Sequence, residues 1–331
     1  MLLLAHSLGG VMALSNHPDS LYKALYHTDN VEKKVSIYLE IAKFYEEVNP
    51  DSVAFYWKEA QKIAQRLTNE KPLADVYSQG AFYALKQNQL DLAFLNFSLA
   101  ARYYNLTGEL KQNVKMKSML GSICLVRDNI AEALGYYMEV IDVAEELKIY
   151  TLLPHVLNNV GNIYSNSDDF STALGYYSRA LELFREIRDT VNIAYPLNNL
   201  GESYYYLGNF DLARDYVRQS LMVAEKTNDR VLESRGWMTL GLIKSKLGDY
   251  SGAMADLQKS IEIVKSDFSV HPGPSNIHYS EVLAALGEIA FKAGDMGKSR
   301  ESNLEGFSIA RSMKQLGTVR NTARYLSLIH E

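Results

Sequence analysis

Two stretches, Leu157-Asn-Asn-Val-Gly161-Asn-Ile-Tyr164 and Leu197-Asn-Asn-Leu-Gly201-Glu-Ser-Tyr204, are near copies lying forty residues apart. A second pair follows at the same offset: Phe170-Ser-Thr-Ala173-Leu-Gly-Tyr-Tyr177-Ser-Arg-Ala180 and Phe210-Asp-Leu-Ala213-Arg-Asp-Tyr-Val217-Arg-Gln-Ser220. Extending this ruler puts Ile41, Ala81, Gly121, Gly161, Gly201 and Gly241 at one position. Twelve residues on come Val53, Ala93, Ala133, Ala173, Ala213 and Ala253, and seven further Ala60, Ala100, Val140, Ala180, Ser220 and Ser260. Six units keep phase. A seventh, with Gly287, Ser299 and Gly306, is displaced by six residues around Val270-His-Pro-Gly-Pro-Ser275. A fixed period over most of a chain leaves little choice but an array of like units, each burying its apolar face on the next.

Spacings of three, four and seven within each half unit are helical. Small residues such as Gly161, Ala173 and Ala180 let antiparallel helices approach, and Tyr164, Phe170 and Tyr177 fill the space between them. Pro72, Pro154 and Pro196 fall at helix starts, where a missing N–H does little harm, and Pro50 falls in an inter-helix turn. Asn, Asp and Gly gather in the turns at Ser167-Asp-Asp169, Gly208-Asn209 and Gly248-Asp249. The expected fold is all-α, with about seven antiparallel helix hairpins over residues 31–316. A lead-in segment spans 16–30. At 317–331 a further first helix lacks its partner, and serves either as a cap or as the truncated end of an array.

This pattern of Leu-Gly, Tyr, Ala, aromatic and Ala resembles the tetratricopeptide repeat family. It stands most clearly at residues 157–180, 197–220 and 237–260, and more loosely at 37–60, 77–100, 117–140 and 283–306. The resemblance implies a right-handed superhelical solenoid. The period departs from the family's usual length of about 34 residues, which predicts longer helices. Asn49-Pro-Asp-Ser52 before a Tyr/Ala-rich helix is also similar to the repeat sensor regions of Bacteroidetes-type histidine kinases and transcriptional regulators.

Other chemistries fare poorly. Net charge is −5, from 34 Lys+Arg against 39 Asp+Glu, so nothing draws the chain to a phosphate backbone and no nucleic acid partner is expected. Ala5-His6-Ser7-Leu8-Gly9-Gly10 is similar to a hydrolase nucleophile elbow, but that motif needs a strand before it and a parallel sheet around it. Helical hairpins supply neither, so Ser7 is not expected to be a nucleophile. Gly294-Asp-Met-Gly-Lys-Ser299 lacks the phosphate loop's first glycine, because residue 292 is Lys. It falls at a turn between helices.

No metal or cofactor is expected. The seven histidines include no i, i+4 pair and no cysteine partner, and His271 and His278, flanking the insertion, read as exposed loop residues. The lone Cys124 occupies a packing position and should be an inert buried thiol.

Residues 1–15 admit two readings. Leu2 to Leu14 followed by Ser15-Asn-His-Pro fits a secretory leader cleaved near Ser15, which predicts export to the periplasm, although no Lys or Arg precedes Leu2. Retained in the cytoplasm, the same residues would pack on the first hairpin as an apolar cap. No apolar run of about eighteen residues occurs, so no membrane-spanning helix is expected.

The resemblance implies that the first helix of each repeat lines a concave surface. Its inward residues lie six, three and two before the Gly161-type position, and one and four after it. In the fourth repeat these include His155, Asn158, Asn159 and Asn162. In the fifth they are Tyr195, Asn198, Asn199, Glu202 and Tyr205, and the sixth adds Arg235 and Lys246. Carboxamides suit an extended peptide because they offer donors and an acceptor with no charge to desolvate. Tyrosines add apolar area with a polar tip, and the two cations could meet a carboxylate. Equally, asparagines here could simply order neighbouring helices. In the first three repeats the matching set (Tyr38, Leu39, Phe82, Leu85, Met119, Leu125) is more apolar, and could take an amphipathic helix or the chain's own Ser20–Tyr26.

The expected function is a non-enzymatic protein- or peptide-binding scaffold, the sensing or interaction region of a bacterial signalling protein. A membrane-anchored or DNA-binding output module would belong to it if the chain is a fragment. The alternative is a structural assembly module with no specific ligand.

Overall fold

The computed structural model describes residues 18–268, 274–312 and 316–330. Ser7, the leader reading of residues 1–15, and His271 lie outside the described residues. Those described form helices and no strands.

The chain divides into two compact units, Met1–Ile149 and Tyr150–Glu331. The first holds α1 (Pro18–His27), α2 (Val31–Phe44), α3 (Pro50–Ala64), α4 (Lys71–Lys86), α5 (Leu90–Leu106), α6 (Leu110–Val126) and α7 (Ile130–Glu146). Its hairpins are α2/α3, α4/α5 and α6/α7. The lead-in helix α1 packs on α2, burying Leu21 among Ile37 and Ile41, while the Tyr22 hydroxyl meets those of Tyr45 (3.1 Å) and Tyr56 (2.8 Å). Among the apolar set expected here, Leu39 is buried in the core and Phe82 sits edge-on to Phe97.

The second unit holds α8 (Leu153–Asn166), α9 (Phe170–Glu186), α10 (Ala194–Tyr206), α11 (Phe210–Thr227), α12 (Arg230–Lys246), α13 (Tyr250–Phe268), α14 (Pro274–Lys292), α15 (Met296–Ser312) and α16 (Leu316–His330). Consecutive helices pair as α8/α9, α10/α11, α12/α13 and α14/α15, and α16 packs on both helices of the last hairpin. No described helix is long and apolar enough to cross a membrane.

Every ruler position read from the sequence is buried, including Gly287, Ser299 and Gly306 of the displaced unit. The glycines are there for space. A Cβ on Gly161 would lie 2.5 Å from Tyr177 Cε1, and one on Gly201 2.4 Å from Val217 Cγ2. Both neighbours are sixteen residues on, and the same contact recurs at Gly121, Gly241 and Gly287.

Turn chemistry repeats with the same period. Asn88, Asp128, Asp168, Gly208 and Gly248 each take a positive φ, between 57° and 86°, the left-handed conformation that ends a helix and favours Gly, Asn or Asp. The next residue's N–H then returns to the last turn, as from Asp169 to the Tyr164 carbonyl (3.0 Å) and from Asn209 to Tyr204 (2.9 Å). Those same residues cap the second helix: Asp169 accepts from Thr172 N and Asn209 from Leu212 N. The Gly-Lys-Ser stretch behaves likewise. Gly294 has φ +82°, Asp295 caps Lys298 N, and the buried Ser299 hydroxyl donates to the Gly287 carbonyl at 2.8 Å. It binds the hairpin together and presents no open phosphate cradle.

Candidate functional site

In the second unit the first helices α8, α10, α12 and α14 are neighbours in series. This packing brings residues one repeat apart side by side on one face. Asn199 on α10 donates its amide to Asn158 Oδ1 and Asn162 Oδ1 on α8, both at 3.0 Å. Asn162 Oδ1 also accepts from the Tyr177 hydroxyl at 2.8 Å. The side chains therefore form a ladder that couples two first helices to a second helix, and all three asparagines remain half-buried. These bonds do not use Asn199 Oδ1 or the amide nitrogens of Asn158 and Asn162.

Other members of the expected set divide. Asn198 is a correction: it is fully buried, donates to Glu202 Oε1 at 2.8 Å, and presents nothing to an incoming ligand. Its Oδ1 is buried without a hydrogen-bond partner among the described residues. Asn159 is half-buried and already engaged within the protein. His155 stands half-buried with its ring edge-on to Phe184 at 4.9 Å, and burial lowers its pKa. Tyr195 donates to Asp229 Oδ2 at 2.7 Å. Arg235 and Lys246 on α12 are exposed, and no ion pair engages either among the described residues.

Tyr205 and Tyr206 extend the face toward α14. Burial pushes the Tyr205 phenol up to about 12, with Tyr206 and Glu288 adding to the effect. Tyr206 is 61% exposed, yet partial desolvation by its neighbours first, and then Glu202 and Glu281, raise its phenol as well. Each phenol stays neutral near pH 7 and can both donate and accept. Its ring neighbours are Tyr205, at 5.2 Å, and Phe170, stacked on it at 4.6 Å. The face thus offers carboxamides and phenols in its middle, cations on α12, and carboxylates at Glu202, Glu281 and Glu288.

Sequence reasoning passed over four contributors. Tyr177 was assigned to packing, yet its hydroxyl holds Asn162. Asp229 caps α12 and also receives Tyr195. Glu281 and Glu288 lie six before and one after Gly287, so the ruler applied to the displaced unit would have found them.

His278 is a second correction. It is a buried α14 residue, with Nε2 3.0 Å from Ser234 Oγ, and Ser234 also meets Ser260 Oγ at 2.7 Å. Ser234 and Ser260 are fully buried, so no substrate reaches this serine–histidine pair. It joins α12, α13 and α14. Among the described residues no group of three His, Cys, Asp or Glu is placed to hold a metal ion.

Comparison with known proteins accords with the geometry. A tetratricopeptide repeat family model matches residues 152–226 and 189–266. Among solved structures, the apo form of RapI is similar with a TM-score of 0.69 at 15% identity, covering 85% of this chain and 99% of that one. NprR in complex with its cognate peptide NprX gives 0.62 at 16% identity, over 91% and 84% of the two chains. Aspartyl phosphate phosphatase F from Bacillus subtilis gives 0.63 at 13% identity, over 89% and 76%. Identities this low carry the fold alone. No curated protein sequence matches. The family model is in register with the hairpins of α8 to α13, so residues 152–266 match tetratricopeptide repeats, and the hairpins beyond them share the fold and the small-residue contacts.

Proposed function

We propose that the second unit is a non-enzymatic receptor for an extended peptide bound along α8, α10, α12 and α14. One observation carries this reading: an uncharged row of Asn158, Asn162, Asn199, Tyr205 and Tyr206 ends at Arg235 and Lys246, two exposed cations with no ion-pair partner among the described residues. The row suits backbone amides and the cations suit a carboxylate of the ligand. NprR, which shares the fold, has been seen with its cognate peptide, and this supports the reading by analogy. A sensing role in a bacterial regulator, with export and an output module on a longer chain, belongs to the same proposal.

The intramolecular ladder favours one rival, a structural module whose asparagines serve helix packing alone. A library of random hexapeptides with free or amidated C-termini separates the two. Receptor function predicts enrichment of a defined motif, and a drop in affinity of about tenfold for Arg235→Gln if a charge-assisted bond is lost. A folded protein that enriches no peptide over background overturns the receptor reading.

A further inference from the structure

Away from the residues of the proposed peptide face, α11 and α12 line an open cavity of about 510 Å³. That is within the size range of small-molecule sites, about 300–1,000 Å³. Its apolar lining includes Leu221, Trp237, Leu240 and Ile243, and its charged lining is Arg214, Arg218, Glu225 and Lys244.

The repeat explains why the cavity is here. In the junction one repeat earlier, between α9 and α10, Leu174 and Tyr204 pack against the apolar core. Forty residues on, those two positions hold Arg214 and Lys244, and Ser178 has become Arg218. Three packing or neutral positions have turned cationic at a single junction. Arg214 is paired with Asp211 (2.6 Å) and Lys244 with Asp256 (2.8 Å), whereas no ion pair engages Arg218 among the described residues. The Trp237 indole N–H is buried without an acceptor, and Lys259 Nζ lies 3.6 Å from the centre of its ring. The walls and the unpaired guanidinium call for the same occupant: an apolar body ending in an anion.

We infer that this cavity binds a small amphipathic carboxylate, its chain or ring against Trp237 and Ile243 and its carboxylate on Arg218. Trp237 makes the site readable, because the chain has only one other tryptophan, Trp57. In a Trp57→Phe background, decanoate kept below its micelle concentration produces a saturable change in indole emission. Decanol and decylamine, with the same chain and no anion, bind about tenfold more weakly or worse. Arg218→Gln weakens decanoate by a similar factor and leaves decanol unchanged. Should Trp57→Phe fail to fold, the difference between wild type and Trp237→Phe reports the same site, and decanoate raises the melting temperature of wild type but not of Arg218→Gln. The inference is overturned if decanoate gives no saturable response, if decylamine binds as well, or if Arg218→Gln retains full affinity.

Discussion

Replacing Asn199 by Ala removes both rungs of the ladder at once, because its single amide group serves Asn158 Oδ1 and Asn162 Oδ1. Each such bond contributes about 0.5–1.5 kcal/mol net. The upper end is out of reach: the three residues are half-buried, so water replaces part of what is lost, and Asn162 keeps its bond from Tyr177. The expected destabilisation is therefore about 1–2 kcal/mol. For a unit of this size that lowers the melting temperature by roughly 2–8 °C. Urea denaturation in a Trp57→Phe background confines the signal to Trp237 and hence to the second unit. A double-mutant cycle with Asn158→Ala isolates the rung, and a coupling above about 0.5 kcal/mol is expected. If Asn199→Ala is as stable as wild type and the cycle shows no coupling, the ladder is not a structural element. Loss of peptide affinity in the folded variant would then report a purely binding role.

Three further outcomes follow from the packing. Gly161→Ala should destabilise by about 1–3 kcal/mol through overpacking, since its Cβ would meet the Tyr177 ring, whereas Gly175→Ala, with open space around it in α9, should stabilise by about 0.4–1 kcal/mol; chemical denaturation compares the pair. Burial lowers the His155 pKa below its ordinary 6.5; the unfolded chain then binds the proton more readily, so this stability is present above 6.5 and lost as pH falls toward the lowered folded value, a slope that His155→Gln should remove from the pH–stability curve. Burial pushes the Cys124 thiol up to about 11, so a disulfide reagent at about pH 8 should leave the folded protein unlabelled and react once it is unfolded.

The hairpins were legible because three requirements with one period coincide in the sequence. Gly161 and Gly201 have no room for a Cβ, Ala173 and Ala213 are fully buried between helices, and Asp168 and Gly208 take a left-handed turn. Each is a steric demand that few residue types satisfy, so it leaves a mark at a fixed phase. The Gly294-Asp-Met-Gly-Lys-Ser299 decoy was resolved the same way, by its place at a hairpin turn. His278 was misread because proximity to an insertion was taken as exposure. Helix α14 in fact begins at Pro274, and its first turns lie against Ser234 on α12.

The candidate site was legible only in phase. Asn158 and Asn198 hold the same ruler position, yet one is half-buried on the ladder and the other is sealed beside Glu202. Phase states which way a side chain leaves its own helix, whereas burial depends on what the adjacent helices place over it, and the period leaves those residues free. The exceptions to the period are therefore as informative as its observance. Tyr164 and Tyr176 stack at 5.4 Å and Tyr204 and Tyr216 at 5.5 Å, but the next pair in the series is Lys244 with Asp256. A stacked pair that fills space has given way to an ion pair whose cation lines a cavity. Ion pairs are a poor substitute for packed rings in stability, so stability alone does not account for one within this hairpin, whereas the proposed carboxylate ligand of Arg218 would.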